Sequence, residues 1–321
     1  MDLEPQLAAD LVKPSKPSRV LLILSGIVTF SAWPGAAMLW LRLGEKAVAV
    51  SSVLLGLSLG PCLAAYALVP TRRKQATRRV ILITGGLSIL AFPVLGAVNL
   101  DLEGFFMLLF LGAGGVAIGH TMVTVIAGPL FFGRLLCGWG CWRAMILELL
   151  PIGRSPGRRG AIWSVLPLLG LAASITGAGL SVFALGHHPG GVPGKMHAGN
   201  MSGIAITIGI YYLASIGLAF TMRDKRAFCK YLCPSSVILG LTSRLSLLKM
   251  AADSRLCNSC DACSQVCPMD IDVARFAALG GRVASGQCIL CQRCAHACPT
   301  GALRLGAGFD LAGRTPFRPC H

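Results

Sequence analysis

Apolar residues in this chain fall into six long runs, at about 20–41, 47–69, 80–98, 105–132, 161–185 and 202–222. A helix rising 1.5 Å per residue needs about 20 apolar residues to cross roughly 30 Å of hydrocarbon. The pattern therefore predicts an α-helical membrane bundle of about six transmembrane helices. The first run follows a 19-residue polar leader and is longer than the apolar part of a signal peptide, so it is expected to be retained. After the last run the character changes: residues 229–321 are polar, turn-rich and dense in cysteine.

Composition agrees with a membrane protein. Of 321 residues, 54% are hydrophobic and 13% charged, against roughly 25% charged in soluble domains; the mean hydropathy is +0.69. The net charge of +16 could indicate nucleic acid, but the basic residues alternate with the apolar runs. They lie before the first run, between runs two and three (Arg72, Arg73, Lys74, Arg78, Arg79), between runs four and five (Arg134, Arg143, Arg154, Arg158, Arg159) and after the sixth. The other connections carry few bases, and the one between runs three and four carries Asp101 and Glu103 with none. The positive-inside rule then puts both termini in the cytoplasm, in a bacterial-type inner membrane, and leaves no charge for a nucleic-acid surface to explain.

Thirteen of the fourteen cysteines lie outside the runs or at their ends, on the predicted reducing side. Stable disulfides are not expected there, and metal or cluster ligation is the leading explanation. Cys62, inside the second run, reads as a small buried hydrophobe.

The strongest pattern is CNSCDACSQVCP (257–268) followed by CILCQRCAHACP (288–299), two copies of C-x2-C-x2-C-x3-C-P offset by 31 residues. Three thiolates in one tight loop can occupy three corners of a cubane, while the fourth is carried away to the other cluster. Cys257, Cys260, Cys263 and Cys298 are thus expected to hold one [4Fe–4S] cluster, and Cys288, Cys291, Cys294 and Cys267 a second. A structural zinc site would instead use four cysteines in two separated pairs. Residues 255–308 resemble a two-cluster bacterial ferredoxin, which implies a pseudo-twofold α+β domain with short strands and one helix between the motifs. The segment VARFAALGGRVASG suits that helix, ended by Gly280 and Gly281.

Two further pairs, CGWGC (Cys137, Cys141) and CKYLCP (Cys229, Cys233), follow even-numbered runs, with Arg134, Arg143, Arg226 and Lys230 beside them. In a helix, thiols four residues apart share a face, and neighbouring positive charge favours thiolate. The four thiols could converge on one metal or cluster, act as redox dithiols, or be structural. With these motifs the chain resembles the polytopic ferredoxin-type proteins represented by NapH, MauN and NosR, which pair two C-x3-C-P motifs at the membrane edge with a two-cluster ferredoxin. Trp142 stands where that pattern has proline. With 19 residues before the first run, the large extracytoplasmic flavin-binding region of NosR-like proteins is not expected.

Four histidines are candidate quinone or haem contacts. His120 lies inside the fourth run, about 25 Å from Cys137 along a continuous helix. His187, His188 and His197 lie in the outer loop GHHPGGVPGKMH, which reads equally as a solvated turn-rich loop. His296, within the second cluster motif, is expected to tune its surroundings rather than ligate. No nucleotide-binding or hydrolase motif is present, and no residue near the motifs is a catalytic candidate.

The expected organisation is a tail at 1–19, a bundle at 20–228, a membrane-edge C-x3-C-P segment and linker at 229–254, a ferredoxin domain at 255–308 and a tail at 309–321. The resemblance implies a membrane iron–sulfur electron carrier working between the quinone pool, or a cytoplasmic donor, and a partner redox enzyme. It would act as a NapH-like quinol dehydrogenase or a MauN-like maturation donor. The alternative is a redox-sensing or cofactor-assembly membrane protein without steady flux.

Overall fold

In a computed structural model, residues 68–96, 101–112, 122–160, 165–184 and 201–308 are described, with isolated positions at 53, 61, 65, 66 and 163. The first run, most of the second, Cys62, His120, the outer-loop histidines His187, His188 and His197, Cys320 and both tails lie outside the described residues.

Helix α1, Thr71–Gly96, begins one residue after Pro70, which cannot continue a helix backwards but starts one well. Helix α2, Leu102–Phe110, has Asp101 at its N-cap and ends at Gly112, whose φ of +61° suits glycine. The fourth run is therefore not one α-helix: it resumes as a π-helix, Met122–Ala127, leading into α3, Gly128–Phe132. Gly133, at φ +56°, breaks the chain again. Two short helices follow, α4 Leu135–Trp139 and α5 Trp142–Leu149. Next come α6 Leu166–Phe183, α7 Met201–Met222, α8 Ala227–Tyr231 and α9 Ser235–Ser243.

Two of these helices are long and apolar enough to cross a membrane, α6 and the Ala205–Met222 part of α7. The segments Val125–Phe132 and Leu135–Leu149 make a third candidate only as a pair bent by 80°. Leu169, Phe183, Ile210 and Leu213 are exposed on α6 and α7, an apolar surface that a bilayer would cover. Helix α5 folds back along α1: a Cβ on Gly86 would stand 2.7 Å from the Met145 sulfur, and Leu82, Ala144 and Met145 form one buried group.

The C-terminal unit is built on β1, Leu248–Ala252, paired antiparallel with β2, Leu303–Ala307, in the register Leu248↔Ala307 through Ala252↔Leu303. Between the strands lie α10 Ala262–Gln265, α11 Val273–Ala278 and α12 Arg293–Ala297. Helix α11 is capped by Asp272, which accepts from the Arg275 N–H. It is closed by Gly280 at φ +62° and by the Gly281 N–H on the Phe276 carbonyl. The core of this unit, including Met250, Met269, Val283 and Leu290, is continuous with Leu147, Ala219 and Phe228 of the bundle. The two parts are packed as one body rather than joined by a tether.

Candidate metal centres

The two cysteine motifs repeat in backbone conformation as well as in sequence. Ser259, Asp261 and Asp270 take left-handed φ values of 57°, 57° and 50°; their counterparts 31 residues on, Leu290, Gln292 and Gly301, take 51°, 58° and 66°. Left-handed residues alternating with ordinary ones turn successive N–H groups toward a common centre, which is how a loop cradles an anion.

Each loop closes over a small cavity. One is lined by Cys257, Cys260, Cys263 and Cys298. The other is lined by Cys267, Cys288, Cys291 and Cys294, with Met250, Met269, Val283 and Leu290 as its apolar wall. Each cavity thus takes three thiols from one motif and one from the other.

The donors around them suit a thiolate-bound cluster. Burial raises the Cys267 thiol and is opposed by the N–H groups of Ile271 and Met269. Burial pushes Cys288 up to about 12 against the N–H of Leu290. At Cys298 burial is outweighed by hydrogen bonds from the Thr300 hydroxyl and the N–H groups of Ala302, Thr300 and Gly301, so that thiol lies below its ordinary value. Such N–H···S bonds help set cluster potential. Among the described residues no three Cys, His, Asp or Glu side chains are grouped to hold a single metal ion, whereas thiols spread around a cavity fit a multi-iron cluster.

The other four cysteines also come together, though not on shared helix faces. Cys137 lies on α4, which stops at Trp139, and Cys141 is the extended N-cap of α5. Cys229 lies on α8 and Cys233 follows it. The helical-face expectation is thus replaced by two tight turns that converge. Arg134 lies within electrostatic reach of Cys137, Cys233 and Cys229, and Arg143 within reach of Cys233 and Cys141. The Arg226 guanidinium donates to the Cys137 carbonyl at 3.2 Å. Lys230, also expected to serve these thiols, does not: its ammonium binds Asp224 at 2.6 Å and Asp270 at 2.5 Å.

This group abuts the second ferredoxin cavity. The Trp139 indole N–H donates to the Leu290 carbonyl at 2.9 Å, and a Cβ on Gly138 would lie 2.3 Å from the Ile289 carbonyl oxygen. Arg134 donates to the Gln287 side chain at 2.8 Å and to the Gly286 carbonyl. Gln75 of α1 donates to the Cys291 carbonyl at 3.2 Å.

Glu148, missed from the sequence, sits where the parts meet. Its carboxylate is bonded by Arg78 at 3.1 Å, Arg226 at 3.0 Å and Arg293, with Arg79 at 3.5 Å. Only its burial and its four cationic partners mark it, and neither is visible in the local sequence. Tyr66 is a second such residue: its hydroxyl donates to Gln292 Oε1 at 3.3 Å and contacts His296 Nε2 at 3.4 Å. Burial, with Lys74 and Arg78 nearby, holds the His296 imidazole below its ordinary value.

Comparison with known proteins agrees with this geometry. Residues 249–305 match the 4Fe-4S dicluster domain family. The chain is 23% identical over 223 residues to an uncharacterized protein of Methanocaldococcus jannaschii, covering 65% of this chain and 78% of that protein. It is 24% identical over 201 residues to the putative electron transport protein YccM of Escherichia coli, covering 56% of this chain and 53% of YccM. It is 28% identical over 189 residues to the methylamine utilization ferredoxin-type protein MauN of Paracoccus denitrificans, covering 54% of this chain and 63% of MauN. The chain therefore spans about half to two-thirds of the length of YccM and MauN. No solved structure matches it. Residues 249–305 thus match a 4Fe-4S dicluster domain, and over about half of its length the chain is similar to the electron transport and ferredoxin-type proteins YccM and MauN.

Proposed function

We propose that the protein is a membrane-bound electron carrier with three iron–sulfur centres in series. Two are [4Fe–4S] clusters, one held by Cys257, Cys260, Cys263 and Cys298, the other by Cys288, Cys291, Cys294 and Cys267. The third is held by Cys137, Cys141, Cys229 and Cys233 at the bundle end. When bound, such clusters supply one-electron transfer. The chain's own residues fix the spacing: Trp139 and Gly138 key the third site to the loop of the second ferredoxin motif.

Arg134 carries this reading. Its side chain is buried, at 1% exposure. It has no carboxylate partner among the described residues and faces Cys137, Cys233 and Cys229. A buried cation without a counter-anion is costly, and a cluster bound by four thiolates supplies the missing negative charge.

Electrons would pass between the quinone pool, or a cytoplasmic donor, and a partner redox enzyme through the ferredoxin face. The membrane helices and the likeness to MauN and YccM support that role. The test is iron and sulfide content with an EPR redox titration of wild type and a Cys137→Ser/Cys229→Ser double variant. About twelve irons falling to about eight in the variant, with loss of one signal, is the expected result if all three centres are [4Fe–4S]. Eight irons in both proteins would remove the third centre. Failure of reduced quinol analogues to reduce any cluster would remove the quinone role and favour a sensing or assembly protein.

A further inference from the structure

We propose that the cationic cleft between the bundle and the ferredoxin unit, beside Cys267, is the docking site for an acidic electron-carrier protein that exchanges single electrons with the second cluster. This names the kind of partner for the carrier role above; it rests on the eight ferredoxin thiols holding clusters and is independent of the third centre.

The cleft has a volume of about 550 Å³ and takes its walls from both parts of the molecule. Arg79 of α1, Arg154 of the loop after α5, and Lys225 and Arg226 just ahead of α8 come from the bundle, while Arg293 of α12 comes from the ferredoxin unit. These five cations share the cleft with two carboxylates, Glu148 and Asp224. Both carboxylates also face inward partners. Asp224 is bound by the buried Lys230 at 2.6 Å. Glu148 holds the buried Arg78 at 3.1 Å in addition to Arg226, Arg293 and Arg79. Arg154 and Lys225 have no carboxylate partner among the described residues: Arg154 is exposed, and the Lys225 ammonium donates to the Glu148 carbonyl at 3.3 Å. The charge left over toward solvent is therefore positive.

Cys267 makes this patch a point of electron exchange. Its side chain lines the cleft and, with Cys288, Cys291 and Cys294, also lines the second cluster cavity. A redox group seated against the cleft would be separated from the cluster by that ligand. Charge distinguishes the cleft from the other accessible ligand. Around the first cluster Cys260 is exposed, but the residues lining that cavity include Asp261 and no lysine or arginine. A partner with surface carboxylates is attracted to the cleft and not to the Cys260 face. A cleft lined by one sign of charge raises the association rate of an oppositely charged partner about 10- to 1,000-fold, an effect that salt removes. A small anion would satisfy the same cations without using the adjoining cluster ligand, so a carrier protein fits the cleft better. The step moves one electron between the second cluster and the partner's redox group, one oxidised as the other is reduced; no bond is made or broken.

The test uses the full-length protein with its clusters oxidised and two one-electron donors, the hydroquinone of an acidic flavodoxin and the methyl viologen radical cation, followed by stopped-flow absorbance. The flavodoxin rate constant is expected to fall about tenfold or more in Arg154→Glu/Lys225→Glu, and likewise in wild type on raising the salt, while the viologen rate holds or rises. Carbodiimide, which joins an amine to a carboxylate in contact with it, should cross-link flavodoxin to Lys225. A wild-type flavodoxin rate indifferent to salt, an unchanged rate in the variant, or cross-links confined to other lysines overturns the proposal. Should the double variant lose its clusters, the salt dependence and the cross-link in wild type decide. Inhibition by inorganic phosphate beyond that of chloride at matched ionic strength, with no cross-link at Lys225, would make the cleft a small-anion site and overturns it as well. Absence of any iron–sulfur EPR signal in wild type instead removes the carrier reading itself.

Discussion

The Trp139 indole N–H donates to the Leu290 carbonyl at 2.9 Å, with both groups buried. Trp139 belongs to the first paired-cysteine turn and Leu290 to the loop that lines the second ferredoxin cavity. With the Arg134 bonds to Gly286 and Gln287 and the close approach of Gly138 to Ile289, this bond holds the bundle's thiols against the ferredoxin's, and most expected behaviour follows from how tightly those surfaces meet.

Gly138→Ala places a methyl 2.3 Å from the Ile289 carbonyl oxygen, a backbone atom that cannot swing aside. Overpacking of this kind costs about 1–3 kcal/mol. Both ferredoxin clusters should persist while electron transfer between them and the third centre slows as the two surfaces are pushed apart, read by rapid-freeze EPR. Unchanged kinetics would show that the two surfaces are not the path.

Glu148 holds Arg78, Arg226 and Arg293 together at 3% side-chain exposure. Glu148→Gln leaves buried guanidinium groups without their anion, and breaking a buried pair in this way costs about 3–5 kcal/mol. A marked fall in thermal midpoint is expected. A variant as stable as wild type would mean that the clusters alone balance these cations.

Arg134→Gln removes a buried positive charge that faces Cys137, Cys233 and Cys229. Reduction adds negative charge to the centre, so loss of the cation disfavours the reduced state and the midpoint potential should move down. The shift should be confined to the third signal in a redox titration. An unmoved potential would argue that the thiols hold no redox centre.

The crossed ligand sets make opposite claims for two single variants. Cys298→Ser should perturb the cluster whose other ligands are Cys257, Cys260 and Cys263, and Cys267→Ser the one held by Cys288, Cys291 and Cys294. Each variant should alter one EPR signal and leave the other. If Cys298→Ser altered the signal tied to Cys288 instead, the ligand sets would be uncrossed.

The ferredoxin unit was legible because cluster chemistry writes itself into spacing. Three thiols in a tight loop and a fourth beyond it are a local constraint, and the left-handed residues at Ser259, Asp261, Leu290 and Gln292 follow from the same short stretches. The membrane character was legible too, because apolar length is a property of the chain alone. The number of spans was less so: the fourth run contains a turn at Gly112, a π-helix and a break at Gly133, features that mean hydropathy does not register.

By itself the sequence pointed to two groups of four cysteines, which line two separate cavities, to positive charge near the paired motifs, to apolar runs long enough to span a membrane, and to a dicluster domain. Only the tertiary structure decided that Lys230 turns away from the thiols to Asp224 and Asp270 while Arg134 stays beside them. It also decided that Glu148 is the common anion of the interface, and that Asp101 and Glu103 meet the Arg143 side of the bundle. The reason is physical. Ligand spacing and hydrophobic length act within a few turns of chain, whereas the partner of a buried charge is chosen by which helices pack together.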